Sequence, residues 1–451
     1  MNHLRIFSIA LAFIAILPAC GKKDAGCKLD SECPNGQICR NMKCEADPAN
    51  TQAAQNQQNS DAAKDQAPDA AKDQAPAADA KPTTPQSIAL DAFQENKTVK
   101  LEDLGLDIDY ILDTDIHLNS NTKLEIGPGV TIDMQSASAG ISVNEDAALI
   151  VKGTAESPVI FKSTNNSAWD GLHFSSKNKD NAINYLQVLN ADGESQVIEL
   201  NSESRLAIDH LTLDGSANNG IDVGNDAKLT KFTNNTIKNC KGYPLVLSNY
   251  AQIAQIGDGN QYENNKQFIR INSNYFGDIQ TSVIKKQPIP YFLADGMNAD
   301  GESGTLTIEP GVEFVFEHEK DARIGGSIQI KIEGTAENPV IMRGLNDEPN
   351  FWYGLNIDTT RPSSISGLQL ANTGCGEYAS LRIRPEAVLT ISNIIFKATD
   401  HRCLEIGSDA KITNNGSLTF EKCGTGNIFD NRIDGDDEQK VLADLPVNAA
   451  E

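Results

Sequence analysis

The chain has 451 residues, a formal net charge of −24 and 39% hydrophobic residues. This charge argues against nucleic acid and anionic lipid headgroups as partners, and it disfavours an acidic polysaccharide. The length admits either two or three domains or one domain built by repetition.

The first 19 residues (1–19) follow the pattern of an export signal. Arg5 precedes an apolar run over residues 6–17, which is too short for a bilayer span because such a helix needs about 20 apolar residues. Ala19 directly before Cys20 resembles a bacterial lipobox, whose cysteine becomes the acylated N-terminus. We therefore expect an exported lipoprotein, held by acyl chains on Cys20 at the outer membrane or cell surface. An ordinary secretory signal is the alternative.

Residues 20–45 form a cysteine-rich segment that contains Cys27, Cys33, Cys39 and Cys44. So short a segment cannot bury a useful apolar core, and it therefore needs cross-links. In an exported protein two disulfides are expected, and three connectivities are open. A zinc site is the alternative, although C-x2-C spacing and histidine are both missing. The segment resembles the Dickkopf N-terminal cysteine-rich segment, and this resemblance implies no activity.

Residues 46–87 are dominated by Ala, Gln, Asp, Lys and Pro, and the sequence of 61–68 repeats immediately as 69–76. Aromatic residues are missing and branched aliphatic residues are nearly so, so no burial can offset the entropy of ordering. We expect a disordered tether with an end-to-end distance of about 35 Å.

The remainder of the chain contains a tandem duplication. The segment GTAESPVI at 153–160 returns as GTAENPVI at 334–341, and WDGL at 169–172 returns as WYGL at 352–355. We therefore divide this region into a first half, 88–277, and a second half, 278–440, followed by a C-terminal tail, 441–451.

Short strand-like runs recur within each half at intervals of about 20 to 27 residues, which is the period of a solenoid. The alternation of Leu381, Arg382, Ile383 and Arg384 is typical of a strand with one apolar face turned inward. Gly, Asn, Asp and Pro at the turns permit sharp corners. One coil cannot bury its inner face alone, so the pattern predicts stacked coils, an all-β parallel solenoid.

The residues that carry this pattern resemble a known family. GTAE-x-PVI followed by W-x-GL, and preceded by IGPGV at 126–130 and IEPGV at 308–312, is similar to right-handed parallel β-helix proteins of the pectate-lyase-like superfamily. The resemblance covers about 88–440 and implies the right-handed β-helix fold. It implies no single function, because enzymes, adhesins and other surface proteins share the fold.

Cysteines also occur inside the solenoid. Cys240 and Cys423 are equivalent in the two halves and are too many coils apart to bond to each other. Cys375 and Cys403 have no equivalents in the first half, which favours a disulfide between them in an oxidising compartment. Cys423 is the rival partner of Cys403, and buried thiols throughout are the other alternative.

One outward column is the candidate for catalysis. If Leu172, Ile198 and Ile221 point inward, the next residues along, His173, Glu199 and Asp222, share an outward column on successive coils. Carboxylates on neighbouring coils come near the separation that retaining glycosidases use. The second half has Asn356, Arg382 and Glu405 at the equivalent positions, so it does not repeat this site. A solvated column of ion pairs is the alternative reading.

No metal site and no cofactor is predicted, because the sequence has neither an H-E-x-x-H motif nor a phosphate-binding glycine loop. The motifs typical of polygalacturonases are also missing. The leading hypothesis is therefore non-enzymatic binding or surface architecture, with glycans or surface proteins as ligands. The alternative hypothesis is a polysaccharide hydrolase or lyase that acts from an outward face.

Overall fold

The computed structural model describes residues 37–40, 43–46, 81–89, 93–165, 168–191, 193, 196–273 and 281–432. The chain divides into two compact units, Met1–Ala78 and Asp79–Glu451. The predicted signal 1–19, Cys20, Cys27, Cys33, most of the linker and the tail 441–451 lie outside the described residues.

The N-terminal unit contains a short antiparallel pair of strands, Gln37–Arg40 and Lys43–Ala46. The backbone register sets Cys39 directly opposite Cys44. The disulfides of this segment stay a prediction.

The second unit is a parallel β-solenoid, and in its first half successive coils contribute strands to three sheets. The first sheet consists of Thr98–Leu101, Lys123–Ile126, Ala148–Lys152, Ala182–Asn184, Arg205–Asp209 and Lys228–Thr233. The second sheet consists of Gln86–Ser87, Tyr110–Leu112, Thr131–Met134, Val159–Lys162, Leu186–Ala191, Thr212–Ser216, Thr236–Cys240 and Gln261–Glu263. The third sheet consists of Asp115–Leu118, Gly140–Val143, Gly171–Phe174, Ile198–Leu200, Ile221–Val223, Leu245–Leu247 and Ile269–Ile271. The first strand of the second sheet, Gln86–Ser87, pairs with Tyr110–Leu112, so the solenoid begins slightly before residue 88.

The interior is a set of aliphatic ladders that run from coil to coil. Leu172, Ile198 and Ile221 stack in register on neighbouring strands of the third sheet, and all three are fully buried. Each such side chain contributes about 1.5–3 kcal/mol of hydrophobic stabilisation, and one coil alone cannot provide all of its apolar surroundings. The alternation seen in the sequence is therefore the direct cause of the stacked fold, which confirms the predicted fold class.

In the second half the same three-strand pattern recurs, with longer strands. The first sheet contains Thr281–Ile284, Gly304–Ile308, Ile328–Glu333, Lys411–Asn414 and the leading parts of Ser363–Ala371 and Val388–Thr399. The second sheet contains Tyr291–Leu293, Glu313–Phe316, Val340–Gly344, Leu418–Cys423 and the trailing parts of those same two long strands. The third sheet contains Met297–Ala299, Asp321–Gly326, Gly354–Thr359, Leu381–Ile383, Arg402–Ile406 and Gly426–Asp430.

At the junction of the two halves, a sheet of the first half does not continue into the equivalent sheet of the second half. The strand Ile269–Ile271 of the first half's third sheet pairs with Tyr291–Leu293, which belongs to the second sheet of the second half. The first half's second sheet ends at Gln261–Glu263, and a new sheet starts at Met297–Ala299. Equivalent segments of the duplication therefore lie in sheets that are not continuous with each other.

Helix is confined to short 3₁₀ turns in the described part of the chain. Tyr250–Gln255 takes the place of a first-sheet strand and packs between Lys228–Thr233 and Thr281–Ile284. The second turn, Cys375–Glu377, lies at a corner of the second half. Within the described residues, no helix combines the length and the apolar character that a membrane span requires.

The predicted disulfide between Cys375 and Cys403 is wrong. Cys403 is bonded to Cys423, the rival partner, with a Cα–Cα distance of 5.6 Å, and Cys375 is a buried free thiol. The cause is the length of the corner loop: Leu381 pairs with Leu404, so Ser380 and not Cys375 stands next to Cys403 in register. Cys240 is also a buried free thiol.

Candidate functional site

The third sheet of the first half brings the predicted column together. His173 pairs with Glu199, and Glu199 pairs with Asp222, on three successive parallel strands. Each of these residues is partly exposed between two fully buried aliphatic neighbours, as alternation requires. The column therefore exists as predicted, whereas a catalytic role for it stays a prediction.

His173 is held by acidic groups on both sides of its ring. Its Nδ1 lies 3.1 Å from Glu199 Oε2, and its Nε2 lies 3.3 Å from a carboxylate oxygen of Asp170. The side chain is only 18% exposed. Both ring nitrogens of His173 therefore contact oxygens of acidic residues, and the contact at Nδ1 holds Glu199 in place.

Asp222 is the chemically unusual member of the column. Burial, with a smaller contribution from the neighbouring carboxylate of Glu199, raises its pKa to about 6 against a hydrogen bond from Asn219 that opposes the rise. Asn219 Nδ2 donates to Asp222 Oδ2 at 3.3 Å, and the buried Oδ1 has no partner among the described residues. Asp222 can therefore carry or release a proton near neutral pH.

The column continues for two more strands beyond Asp222. Val246 pairs with Asp222, and Arg270 pairs with Val246, so the backbones of Asp222 and Arg270 are about 10 Å apart. Val246 is nearly buried, at 6% exposure, and forms an apolar floor between an acid and a guanidinium group.

Cations and one aromatic ring line the side of this floor. The Arg270 guanidinium lies 5.4 Å from the Tyr243 ring centroid, and Lys266 Nζ lies 4.7 Å from the same ring. Arg270 Nε donates to Asn272 Oδ1 at 2.7 Å, which fixes the direction of the guanidinium. Within the described residues, neither Lys266 nor Arg270 has a carboxylate within 4.0 Å, so both retain their charge for a ligand.

These side chains surround a polar depression of about 390 Å³ whose lining includes Asp222, Tyr243, Val246, Lys266, Arg270 and Asn272. A second depression of about 200 Å³ shares Asp222, Val246 and Asn272 with it and reaches Glu199. The arrangement offers hydrogen-bond donors and acceptors, three cations (Lys241, Lys266 and Arg270) and the acids Asp222 and Glu199 around a shallow floor. It suits a ligand rich in hydroxyl groups or oxyanions better than an apolar molecule.

The sequence interpretation identified Asp222 and Glu199 but missed Tyr243, Lys266 and Arg270. A signal was available, because Val246 and Arg270 follow Asp222 at the regular coil spacing and extend the same column. Tyr243 and Lys266 gave no such signal, since they lie on turns between strands, where side-chain direction does not follow the period of two.

The equivalent column of the second half is different in kind. Asn356, Arg382 and Glu405 are in register there, as the sequence predicts. The Arg382 guanidinium lies 4.0 Å from the Tyr378 ring centroid, and burial lowers its pKa. In this column Arg382 stands directly beside the one carboxylate, Glu405, so it does not duplicate the site around Asp222.

The two repeated tryptophans are structural. Trp169 and Trp352 are 1% and 0% exposed, and Trp352 stacks on Phe316 with ring centroids 4.1 Å apart. Neither ring can be a platform for a sugar. Across the described residues, no group of three or more His, Cys, Asp or Glu side chains is placed to hold a metal ion.

One of three comparisons with known proteins gives a match, and it concerns the fold of part of the chain. No curated protein and no solved structure matches the chain significantly. The family model described as "Pectate-lyase like beta helix domain" matches residues 96–201, which include His173 and Glu199 but end before Asp222. That part of the chain is therefore similar to the pectate-lyase-like β-helix family, and it has the parallel solenoid fold that the family description names.

Proposed function

We propose that this protein is an exported, lipid-anchored surface protein that binds a saccharide, without cleaving it, in the depression beside Asp222 on the third sheet. The observation that supports this function most strongly is the convergence of Tyr243, Lys266 and Arg270 over the floor formed by Val246. The family match adds a fold on which saccharide sites occur, and it does not distinguish binding from cleavage.

The chemistry of the depression fits a sugar ring. Asn272 and Asp222 can exchange hydrogen bonds with ring hydroxyls, while Arg270 can hold an oxyanion or a hydroxyl oxygen. Because Arg270 is already oriented by Asn272, little side-chain entropy is lost when it engages a ligand. The depression is open and shallow, which favours the exposed ring of a chain over a fully enclosed small molecule.

Binding is favoured over cleavage because the second carboxylate is engaged elsewhere. Glu199 accepts from His173 at 3.1 Å, and His173 is in turn held by Asp170. Glycoside hydrolysis needs two carboxyl groups that are both free to reach the scissile bond. In this column Glu199 Oε2 is held by His173, whereas the buried Asp222 Oδ1 has no partner among the described residues.

A glycan array followed by calorimetry on the full chain tests the proposal. We expect at least one saccharide to bind, and Tyr243→Ala or Arg270→Gln to weaken that binding at least tenfold. Arg384→Gln is the matched control, because Arg384 is an exposed arginine of the other half and lies outside the depression. No binding by the unaltered protein, or equal weakening by all three variants, would refute the site.

Cleavage is the second candidate function, and the raised pKa of Asp222 is the observation that favours it. A carboxyl group with a pKa of about 6 can act as a general acid near neutral pH. Reducing-end release from a polysaccharide panel tests it directly. Release that is abolished by Asp222→Asn would replace the binding proposal with a hydrolase or lyase, and no release from any substrate would leave binding as the function.

A further inference from the structure

Three arginines lie close together on the third sheet of the second half, away from the candidate site. Arg382 and Arg384 belong to one coil and Arg402 to the next, and we call these three residues the arginine row. None of them has a carboxylate within 4.0 Å among the described residues. The arginine row is therefore a local concentration of unpaired positive charge on a chain whose net charge is −24.

Other charged residues of the same sheet show the contrast. Arg323 Nη2 lies 2.9 Å from a carboxylate oxygen of Asp358, so its charge is already paired. Glu405 stands in register beside Arg382, yet no ion pair joins the two side chains within 4.0 Å. The positive charge of Arg382 is thus not neutralised by direct contact.

Aromatic rings orient two guanidinium groups of the arginine row. The Arg382 guanidinium lies 4.0 Å from the Tyr378 ring centroid, and the Arg402 guanidinium lies 3.9 Å from the Phe429 ring centroid. A guanidinium that is fixed over a ring loses little side-chain entropy when it binds an oxyanion. Its planar fork of N–H groups matches a carboxylate, which accepts two parallel hydrogen bonds from it.

The spacing of the arginine row follows the strand direction. Leu381 pairs with Leu404, so Arg402 stands three residues before Arg382 and five residues before Arg384 along the strands. Five residues of extended chain cover about 17 Å. An extended peptide of about six residues therefore reaches all three arginines, whereas a single acidic residue reaches only part of the row.

The surface around the arginine row suits a protein partner better than a sugar. Guanidinium groups already cover one face of Tyr378 and one face of Phe429, so these faces are not available to stack on a sugar ring. Arginine and tyrosine are the residues enriched at the centres of protein interfaces, and Tyr378 is 42% exposed. Charges more than about 8 Å away are largely screened at physiological salt, so a short acidic segment meets the local positive charge despite the net charge of the chain.

We propose that the arginine row is a docking surface for an extended, acidic segment of a partner protein, whose Asp or Glu carboxylates pair with the three guanidinium groups. This inference goes beyond the proposed function, because it adds a protein partner on the other half of the solenoid. It does not depend on saccharide binding, so the two proposals can fail separately.

Fluorescence anisotropy on the full chain tests the docking surface with a defined probe. The probe is a dye-labelled, end-blocked octapeptide of alternating Glu and Ser, and its neutral counterpart has Gln in place of each Glu. We expect the Glu peptide to bind at least about tenfold more tightly than the Gln peptide, and more tightly than the tripeptide Glu-Ser-Glu, which spans only about 7 Å between its carboxylates. The double variant Arg384→Gln/Arg402→Gln should weaken binding at least about tenfold, since two charge-assisted contacts are lost.

Two other arginines provide matched controls. Arg323→Gln removes a charge of the same sheet that is already paired with Asp358, and it should change peptide affinity by less than about twofold. Arg270→Gln alters the proposed saccharide site in the first half and should leave peptide binding unchanged. Circular dichroism and thermal unfolding of each variant identify any loss of fold.

Each contrary result overturns a stated part of the proposal. Equal binding of the Glu and Gln peptides, or equal weakening by Arg323→Gln and the double variant, would show that the arginine row is not a docking surface. If oligouronates bind the arginine row more tightly than the peptide does, the assigned class of partner is wrong. If the full chain dimerises and the double variant does not, the occupant is a second copy. If the peptide binds only after Asp434, Asp436 and Asp437 are changed to Asn in the full chain, the occupant is this acidic run of the chain itself.

Discussion

At the scale of single residues, Asp222 shows how a position in a column acquires chemistry. Its neighbours in the column are Glu199 on one side and Val246 on the other, so no cation lies beside it. Burial therefore raises the pKa of Asp222, and the single hydrogen bond from Asn219 is too weak to cancel that rise. The apolar floor that makes room for a ligand is thus also part of the cause of the raised pKa.

The first prediction concerns pH. A carboxyl group whose folded pKa is raised from 3.8 to about 6 stabilises the fold below pH 4, and this contribution is lost as pH rises to about 6. Partial exposure limits the loss to about 2 kcal/mol. Asp222→Asn should therefore be more stable than the unaltered protein at pH 7 and equally stable at pH 4, as measured by urea unfolding.

A direct titration checks the same point. Carbon-13 NMR of the Asp222 carboxyl should give a midpoint near 6, whereas Asp226, which lies on an exposed turn, is the reference position in the same coil. A midpoint for Asp222 below 4.5, or a stability difference that does not change with pH, would contradict the assignment of cause.

The sequence could predict the column because side chains alternate inward and outward along a strand, and this alternation can be read from a few neighbouring residues. His173, Glu199 and Asp222 follow once their inward neighbours are aligned, and the register confirms that alignment. The cysteine pairing failed for the opposite reason. It depends on the length of a corner loop, and the loop before Leu381 is longer than the corresponding loop before Leu404.

At the scale of elements, the corners of the solenoid, more than its strands, determine which substitutions a coil tolerates. The repeated GTAE motif begins with a glycine at a corner where the next coil passes very close. A Cβ on Gly153 would lie 2.3 Å from the carbonyl oxygen of Tyr185, and contacts at Gly334 are tighter still, against Gly367. The motif recurs in both halves because a larger residue has no room at either corner.

The second prediction follows from this close approach. Gly334→Ala should destabilise the solenoid by more than 2 kcal/mol, since backbone on the neighbouring coil cannot move without breaking the ladder. Gly325→Ala is the control, because the nearest atom to its Cβ would be 3.5 Å away, on a flexible side chain. Thermal unfolding of the two variants should differ by several degrees, and equal melting temperatures would refute the packing argument.

The disulfide also acts at a corner. Cys423 ends a strand of the second sheet and Cys403 is the second residue of a strand of the third, so the bond ties the last coils of the described solenoid across a turn. Terminal coils have a neighbour on one side only and open more easily than central ones. A cross-link at this position limits such opening.

The third prediction separates the two candidate partners of Cys403. Cys423→Ala should lower the free energy of unfolding by about 3 kcal/mol, the value expected for a loop of 20 residues. Cys375→Ala should cost less, and its melting temperature should still fall when a reductant is added. If reductant sensitivity were lost in Cys375→Ala and retained in Cys423→Ala, the pairing would be the one that the sequence suggested.

At the scale of the whole molecule, the sequence duplication predicts the coils of each half but not the way the two halves join. The repeated motifs predict that each half is built from the same coils, and the structure confirms this. They could not predict that the first half's third sheet continues into the second sheet of the second half. Just before the offset, a 3₁₀ turn at Tyr250–Gln255 replaces a strand, and the sequence there contains no repeated motif.

The candidate site lies in the first half, beside this junction. Asn356, the equivalent of His173, lies in a sheet that begins at Met297–Ala299 and has no counterpart beneath it. Arg270 faces Phe292 across the junction, with its guanidinium 5.8 Å from that ring's centroid. Arg270, a cation of the depression beside Asp222, therefore lies directly against the junction, at a place that a simple repetition of coils would not create.

The last prediction concerns how the protein is attached to a membrane. The apolar run of 6–17 is too short to span a bilayer, so stable attachment would need acyl chains on Cys20. The full chain, expressed in a bacterial host, should partition into the detergent phase on phase separation, while Cys20→Ser should move to the aqueous phase. Cys240→Ser is the control: Cys240 is a buried thiol of the solenoid, so its substitution should leave partitioning unchanged.

Mass spectrometry of the N-terminal peptide should show the added acyl mass only where Cys20 is present. An unmodified N-terminus that starts after an ordinary signal cleavage would contradict the anchor and leave the solenoid as a freely secreted protein.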